Sequence, residues 1–194
     1  MTKSSNNFAN MRTRLQRLKD AKFFTGWVTD FDEQEVKVRL GTDEACEPGD
    51  YYLLEIFGPL SDAVLQARVR MAFDNQAYFT IHGTINYRPA TENARLRITG
   101  ITATLTYPDF EVEGRVLDIS HNGVGMVVRK ALVQKSKAKI RLQTPRGEIN
   151  AEGEIRYCRA ESNGSGNFRV GIRLGDLARL EKARWQRLFE SEAA

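Results

Sequence analysis

With 194 residues, 41% of them hydrophobic and 28% charged, the chain has the composition of a globular protein. No apolar run is as long as a membrane span and the first residues carry no signal-peptide core, so the expectation is a cytoplasmic protein. The net charge of +4 is unevenly spread: six bases against one acid up to Phe24, eleven acids against four bases from Asp30 to Asp74, nineteen bases against thirteen acids from Arg88 onward. An anionic ligand is therefore favoured by the last third and opposed by the middle.

Cys46 and Cys158 are too few and too far apart for a disulfide framework or a zinc site, and His82 and His121 stand alone. Neither a metal centre nor a histidine-based triad has the residues it needs, and the expectation is a protein without catalytic activity or cofactor.

In chain order, residues 1–24 read as an amphipathic helix, because Phe8, Met11, Leu15 and Leu18 recur at spacings of three and four among Arg12, Arg14, Arg17, Lys19 and Lys22. Residues 25–85 then change to strand patterns, from "GWVTDF" through "VKVRL", "YYLLEIF" and "VLQARVRMAF" to "AYFTIHGTI", with acidic, glycine or proline turns between them. Residues 86–97, "NYRPATENARLR", read as an arginine-bearing linker. A second strand series fills residues 98–194 and ends in a helix after Asp176, with Leu177, Leu180, Trp185, Leu188 and Phe189 on one side.

The two series look like copies of one another. "GWVTDFDEQEVKVRL" lies over "GRVLDISHNGVGMVV" without a gap at an offset of 88, matching Gly26 with Gly114, Val28 with Val116, Asp30 with Asp118 and Val36 with Val124. Short strands separated by turns, with no helices between them, predict a mainly β fold of two consecutive small antiparallel β-barrels with an N-terminal and a C-terminal helix.

The repeat also isolates a difference. Ser120-His121-Asn122-Gly123 in the second copy faces Asp32-Glu33-Gln34-Glu35 in the first. A polar interruption from Asp118 to Gly123 reads as a loop in which Gly123 takes a positive φ and leaves backbone N–H groups facing outward. Asp118 accepts two N–H bonds from one ring edge and Ser120 adds a short donor and acceptor, a set suited to a ligand with phosphate and purine N–H groups.

From about Asn86 to Phe189 the chain resembles a PilZ domain, a six-stranded barrel that in many bacteria is a receptor for cyclic di-GMP. The family's Asp/Asn-x-Ser-x-x-Gly motif is matched by Asp118, Ser120 and Gly123, and "GEIRYCRA" and "FRVGIRL" resemble its closing strands. Its Arg-x-x-x-Arg motif is met by Arg97 at the second position, with Asn93 at the first. The resemblance implies that Arg97, with Arg95 and Arg88 as substitutes for the missing arginine, holds the guanines and phosphates of the dinucleotide. Planar guanidinium groups suit both. The first barrel then looks like a degenerate PilZ-like domain of a tandem protein, and the ligand would relay its signal, to an unidentified protein partner, by a change in domain arrangement. An interaction module that has lost the ligand is the alternative, carried by Asn93. Nucleic acid is disfavoured, since the basic strands lack a series of aromatics for base stacking.

Overall fold

The structure, a computed structural model, describes residues 8–41, 46–91, 94–161 and 164–192. The chain divides into two compact units, one reaching Leu96 and the other running from Arg97 to Glu192.

The first unit holds six strands: β1 (Arg12–Arg17), β2 (Phe23–Phe31), β3 (Glu35–Leu40), β4 (Tyr51–Ile56), β5 (Ser61–Phe73) and β6 (Gln76–Pro89). They close into an antiparallel barrel in the order β1-β2-β3-β6-β5-β4, with β4 returning to β1. Closure removes the exposed strand edges that would otherwise template pairing with another chain. Residues at alternate positions, among them Val36, Val38, Tyr52, Leu54 and Ile56, fill the interior. Tyr52 sits there edge-on between Phe24 and Phe79, at centroid distances of 5.8 and 5.6 Å.

The predicted N-terminal helix is corrected by β1, whose residues pair with both β2 and β4 and supply the sixth strand of the barrel. Met11, Thr13 and Leu15 are buried at a period of two. The spacing from Met11 to Leu15 fits a helix and a strand equally well. Leu18 discriminates: it lies an odd step from Leu15 and is 49% exposed, where a helical stripe would have buried it.

The segment between the barrels is strand at both its described ends. Asn86 to Pro89 complete β6 beside β5, and β7 (Arg95–Arg97) follows. Leu96 bridges Met11 in the first unit. Asn93 lies outside the described residues.

The second unit holds β8 (Thr102–Thr106), β9 (Glu111–Ser120), β10 (Gly123–Val128), β11 (Lys137–Thr144), β12 (Gly147–Ala160), β13 (Phe168–Leu174) and the helix α1 (Arg179–Glu192). Pairing of β9 with β10 closes these strands into a ring, β8-β9-β10-β13-β12-β11, and β11 returns to β8. Written by position in each series, both barrels follow the ring first-second-third-sixth-fifth-fourth. The offset of 88 carries β3 residue for residue onto β10, and it overlaps every other strand with its counterpart. In both copies the second and third strands pair in the same register, with one bulged residue at the same point: Thr29 between Val28 and Asp30, and Leu117 between Val116 and Asp118. Gly26 and Gly114 are equivalent as well. A Cβ at Gly26 would stand 2.5 Å from Val38 Cγ1, and at Gly114 it would stand 2.5 Å from Met126 Cε.

Helix α1 buries Trp185, Leu188 and Phe189, while Leu180 is exposed, so the apolar side is narrower than the sequence spacing predicts.

Candidate ligand site on the second barrel

The predicted loop from Asp118 to Gly123 is instead a strand end, a turn of His121 and Asn122, and a strand start. Asp118, Ile119 and Ser120 belong to β9, where Ile119 points into the core and its two polar neighbours point outward. The polar interruption in the sequence is therefore the outer face of a continuing strand. Gly123 opens β10 in extended pairing with Ser120 and Arg173, and positive φ occurs elsewhere among the described residues, at Gly100 and Gly147 for example. The expected left-handed conformation of Gly123 is thus corrected. A two-residue hairpin followed by regular pairing leaves no need for it.

On the outer face, the register aligns Asp118 with Gly125, Gly125 with Gly171, and Gly171 with Tyr157, across β9, β10, β13 and β12. At both central glycines a neighbouring side chain takes the space of a Cβ: one at Gly125 would lie 2.6 Å from each carboxylate oxygen of Asp118, and one at Gly171 would collide with Tyr157 Cε1. The carboxylate and the ring consequently lie down on a bare stretch of sheet. Asp118 is 1% exposed, and burial of a carboxylate requires a partner. Arg169 Nη2 donates to its Oδ2 at 2.6 Å. Arg159 stands over the Tyr157 ring at 5.7 Å from its centroid.

Ser120 is also buried, and its hydroxyl lies 3.4 Å from the Gly123 carbonyl. The turn is fixed from outside the barrel: Trp185 Nε1 donates to the carbonyls of Ser120 and His121 at 3.1 and 2.9 Å, and the His121 ring lies 4.5 Å from that of Phe189. The Leu174 N–H donates to the Asn122 carbonyl at 2.9 Å. Helix α1 and β13 therefore both hold the hairpin that carries Ser120 and Gly123.

Of the arginines expected at the site, Arg97 begins the second unit and is half-buried. Its neighbour Ile98 donates its N–H to the carbonyl of Leu117, the residue before Asp118. Arg95 precedes the boundary on β7. Arg88 is on the first barrel, opposite Asp62 on β5, and lines a groove of about 180 Å³ with Arg14, Phe23 and Glu55. Sequence reasoning missed Arg169, Tyr157 and Gly125. Alternation within "FRVGIRL" does put Arg169 and Gly171 on one face. That this face adjoins Asp118 follows only from the order of strands around the barrel.

Among the described residues, no group of three or more His, Cys, Asp or Glu side chains is arranged to hold a metal ion, and no helix is long and apolar enough to cross a membrane.

Residues 91–191 match the family model described as PilZ domain. No curated protein matches the chain in sequence. Solved structures show distant likenesses. The Bacillus subtilis inhibitor of motility (MotI/DgrA) is 10% identical with a TM-score of 0.46, over 94% of this chain and 96% of that one. The K. pneumonia MrkH complex with c-di-GMP is 11% identical with a TM-score of 0.47, over 94% and 86%. YcgR from Escherichia coli in complex with c-di-GMP is 12% identical with a TM-score of 0.44, over 96% and 85%.

Proposed function

The chain belongs to the PilZ family, and from that premise we propose that it is a bacterial, cytoplasmic receptor for cyclic di-GMP without catalytic activity of its own. The observation that carries this reading is the grouping of Asp118, Ser120 and Gly123 on one outer face of a closed six-stranded barrel, within the matched residues. A guanine presents two adjacent N–H donors, and a buried carboxylate whose position is fixed by Gly125 is a matched acceptor for them. Arg97 supplies a cation from the start of the same unit. Arg95 and Arg88 belong to the first unit and are retained as candidates on the strength of the sequence, to be tested by their own substitutions.

Binding would be relayed through the segment from 86 to 97, which joins the two units, and read by a protein partner as a change in domain arrangement. A second reading, an interaction module that no longer binds the dinucleotide, is favoured by Asn93 alone, which offers neither charge nor a stacking plane. Calorimetric titration of the full chain with cyclic di-GMP separates the two, with GTP and cyclic di-AMP as controls. A saturable heat with cyclic di-GMP alone supports the receptor. Absence of heat with all three overturns the receptor and leaves the module.

A further inference from the structure

The receptor reading uses one side of Asp118 and leaves the other unexplained. The Arg169 guanidinium occupies Oδ2 of the carboxylate that the guanine edge needs. The two partners are unequally held: the Asp118 side chain is 1% exposed beneath its neighbours, whereas that of Arg169 is 40% exposed. The pair therefore opens from the arginine end, by rotation of a flexible side chain into solvent. The space beside it is furnished. The Tyr157 ring lies on Gly171 in the adjoining strand, with Arg159 above it, and Arg173 stands one row below on β13.

We propose that Arg169 is a ligand-binding residue that exchanges partners; the inference rests on the receptor reading above. In the free protein Arg169 neutralises Asp118. In the complex the guanine N–H edge takes over Asp118, and Arg169 turns to a phosphate of the same nucleotide, so neither state leaves a buried charge unpaired. Asp118 selects guanine, because adenine offers no such pair of donors at that edge.

The test is calorimetric titration of the full chain with cyclic di-GMP for wild type, Arg169→Ala, Arg169→Lys and, as a control on an exposed turn, Arg146→Ala. The expected losses in affinity are tenfold or more for Arg169→Ala and smaller for Arg169→Lys, with Arg146→Ala unchanged. If Arg169→Ala is unfolded in a thermal melt, Arg169→Lys carries the test, because it retains a cation for Asp118. A nitrogen-edited NMR spectrum adds a readout that a purely structural role would leave still. The Arg169 Nε–H resonance, assigned by its loss in Arg169→Lys, should move on saturation. Wild type that fails to bind overturns the receptor reading and this inference with it. Wild type that binds, with both Arg169 variants equally tight or with an unmoved resonance, overturns this inference alone and leaves Arg169 as a structural partner of Asp118.

Discussion

The hairpin of β2 and β3 in the first barrel and the hairpin of β9 and β10 in the second share ring position, register, bulge and an obligatory glycine at Gly26 and Gly114. Their outer faces have diverged. Where the second copy has Gly125, the first has Lys37, whose Nζ pairs with Asp30 at 2.6 Å. The Asp30 side chain is 61% exposed and its equivalent Asp118 is 1% exposed. The residue opposite the aspartate differs between the copies, and so does the cation that neutralises it, Arg169 for Asp118 and Lys37 for Asp30. A bare glycine lets the aspartate fold onto the sheet and be held as a buried acceptor, whereas a lysine lifts it into solvent and neutralises it there. At the turn, Asp32 caps its own backbone in the first copy, accepting the N–H groups of Gln34 and Glu35 at 2.7 Å each, and Glu33 and Glu35 add negative charge. The duplicated feature is the backbone. Whether it carries a site is decided by side chains that face water.

The largest effect should come from writing the first hairpin into the second. Gly125→Lys forces the Asp118 carboxylate off the sheet and sets an ammonium beside it, removing the acceptor for two N–H bonds. Affinity for cyclic di-GMP should fall more than about a hundredfold, as expected for losing about 3 kcal/mol of charge-assisted contact. The reciprocal Lys37→Gly should create no binding in the first barrel, because Asp32, Glu33 and Glu35 still repel phosphate. Calorimetry on both variants checks this, and ligand contacts on the first barrel would break the comparison.

Next in size is the missing arginine. Asn93→Arg restores a charge-assisted contact worth about 1.5–3 kcal/mol, so binding should tighten ten- to about a hundredfold. Arg97→Ala should abolish binding. Comparison of Arg95→Ala with Arg88→Ala then identifies which arginine substitutes in wild type. Arg88 starts at a disadvantage, since it is fixed on β6 opposite Asp62. If Asn93→Arg leaves a non-binding wild type unchanged, the interaction module is the better reading.

The sequence carries the duplication, the two barrels and the motif residues, because strand alternation and the offset of 88 are local and repeat. It misleads at β1, where Met11 and Leu15 satisfy helical and strand periods at once, and a sixth strand is identified only when the barrel needs closing. It misleads again at Asp118 to Gly123, since the residues that make a turn are also those that make a polar outer face. Arg169 and Tyr157 are hidden for a different reason. They are 51 and 39 positions from Asp118 in the chain, and only the order β9-β10-β13-β12 brings them beside it.

Ser120→Ala tests a finer point of the comparison. The hydroxyl is buried and stands where Asp32 has its turn-capping carboxylate, so on the receptor reading its loss should remove one hydrogen bond to the ligand without disturbing the Trp185 contact, which uses the Ser120 carbonyl. Binding should weaken threefold to tenfold, about 0.5–1.5 kcal/mol. Gly123→Val should weaken it further by crowding the same face. Two variants that titrate like wild type would reduce the hairpin to a structural turn.

The smallest effect belongs to the first copy and is read as pH dependence. The backbone N–H groups of Gln34 and Glu35 hold the Asp32 carboxyl below its ordinary value of 3.8. A carboxylate with a lowered pKa stabilises the fold fully above that ordinary value, and loses its contribution as pH falls through the lowered one. Asn at this position still accepts the turn hydrogen bonds but does not titrate. Asp32→Asn should therefore melt below wild type at pH 7 by about 2–4 °C, corresponding to about 0.5 kcal/mol once solvent screening of this exposed turn is allowed for. The two melting curves should converge as pH drops toward 2. Ser120, at the equivalent position in the second barrel, has no charge to lose, so Ser120→Ala should show no such convergence. Thermal melts of wild type and both variants between pH 7 and pH 2 make the comparison. A gap for Asp32→Asn that stays constant over that range would mean that its carboxylate charge contributes nothing to the turn.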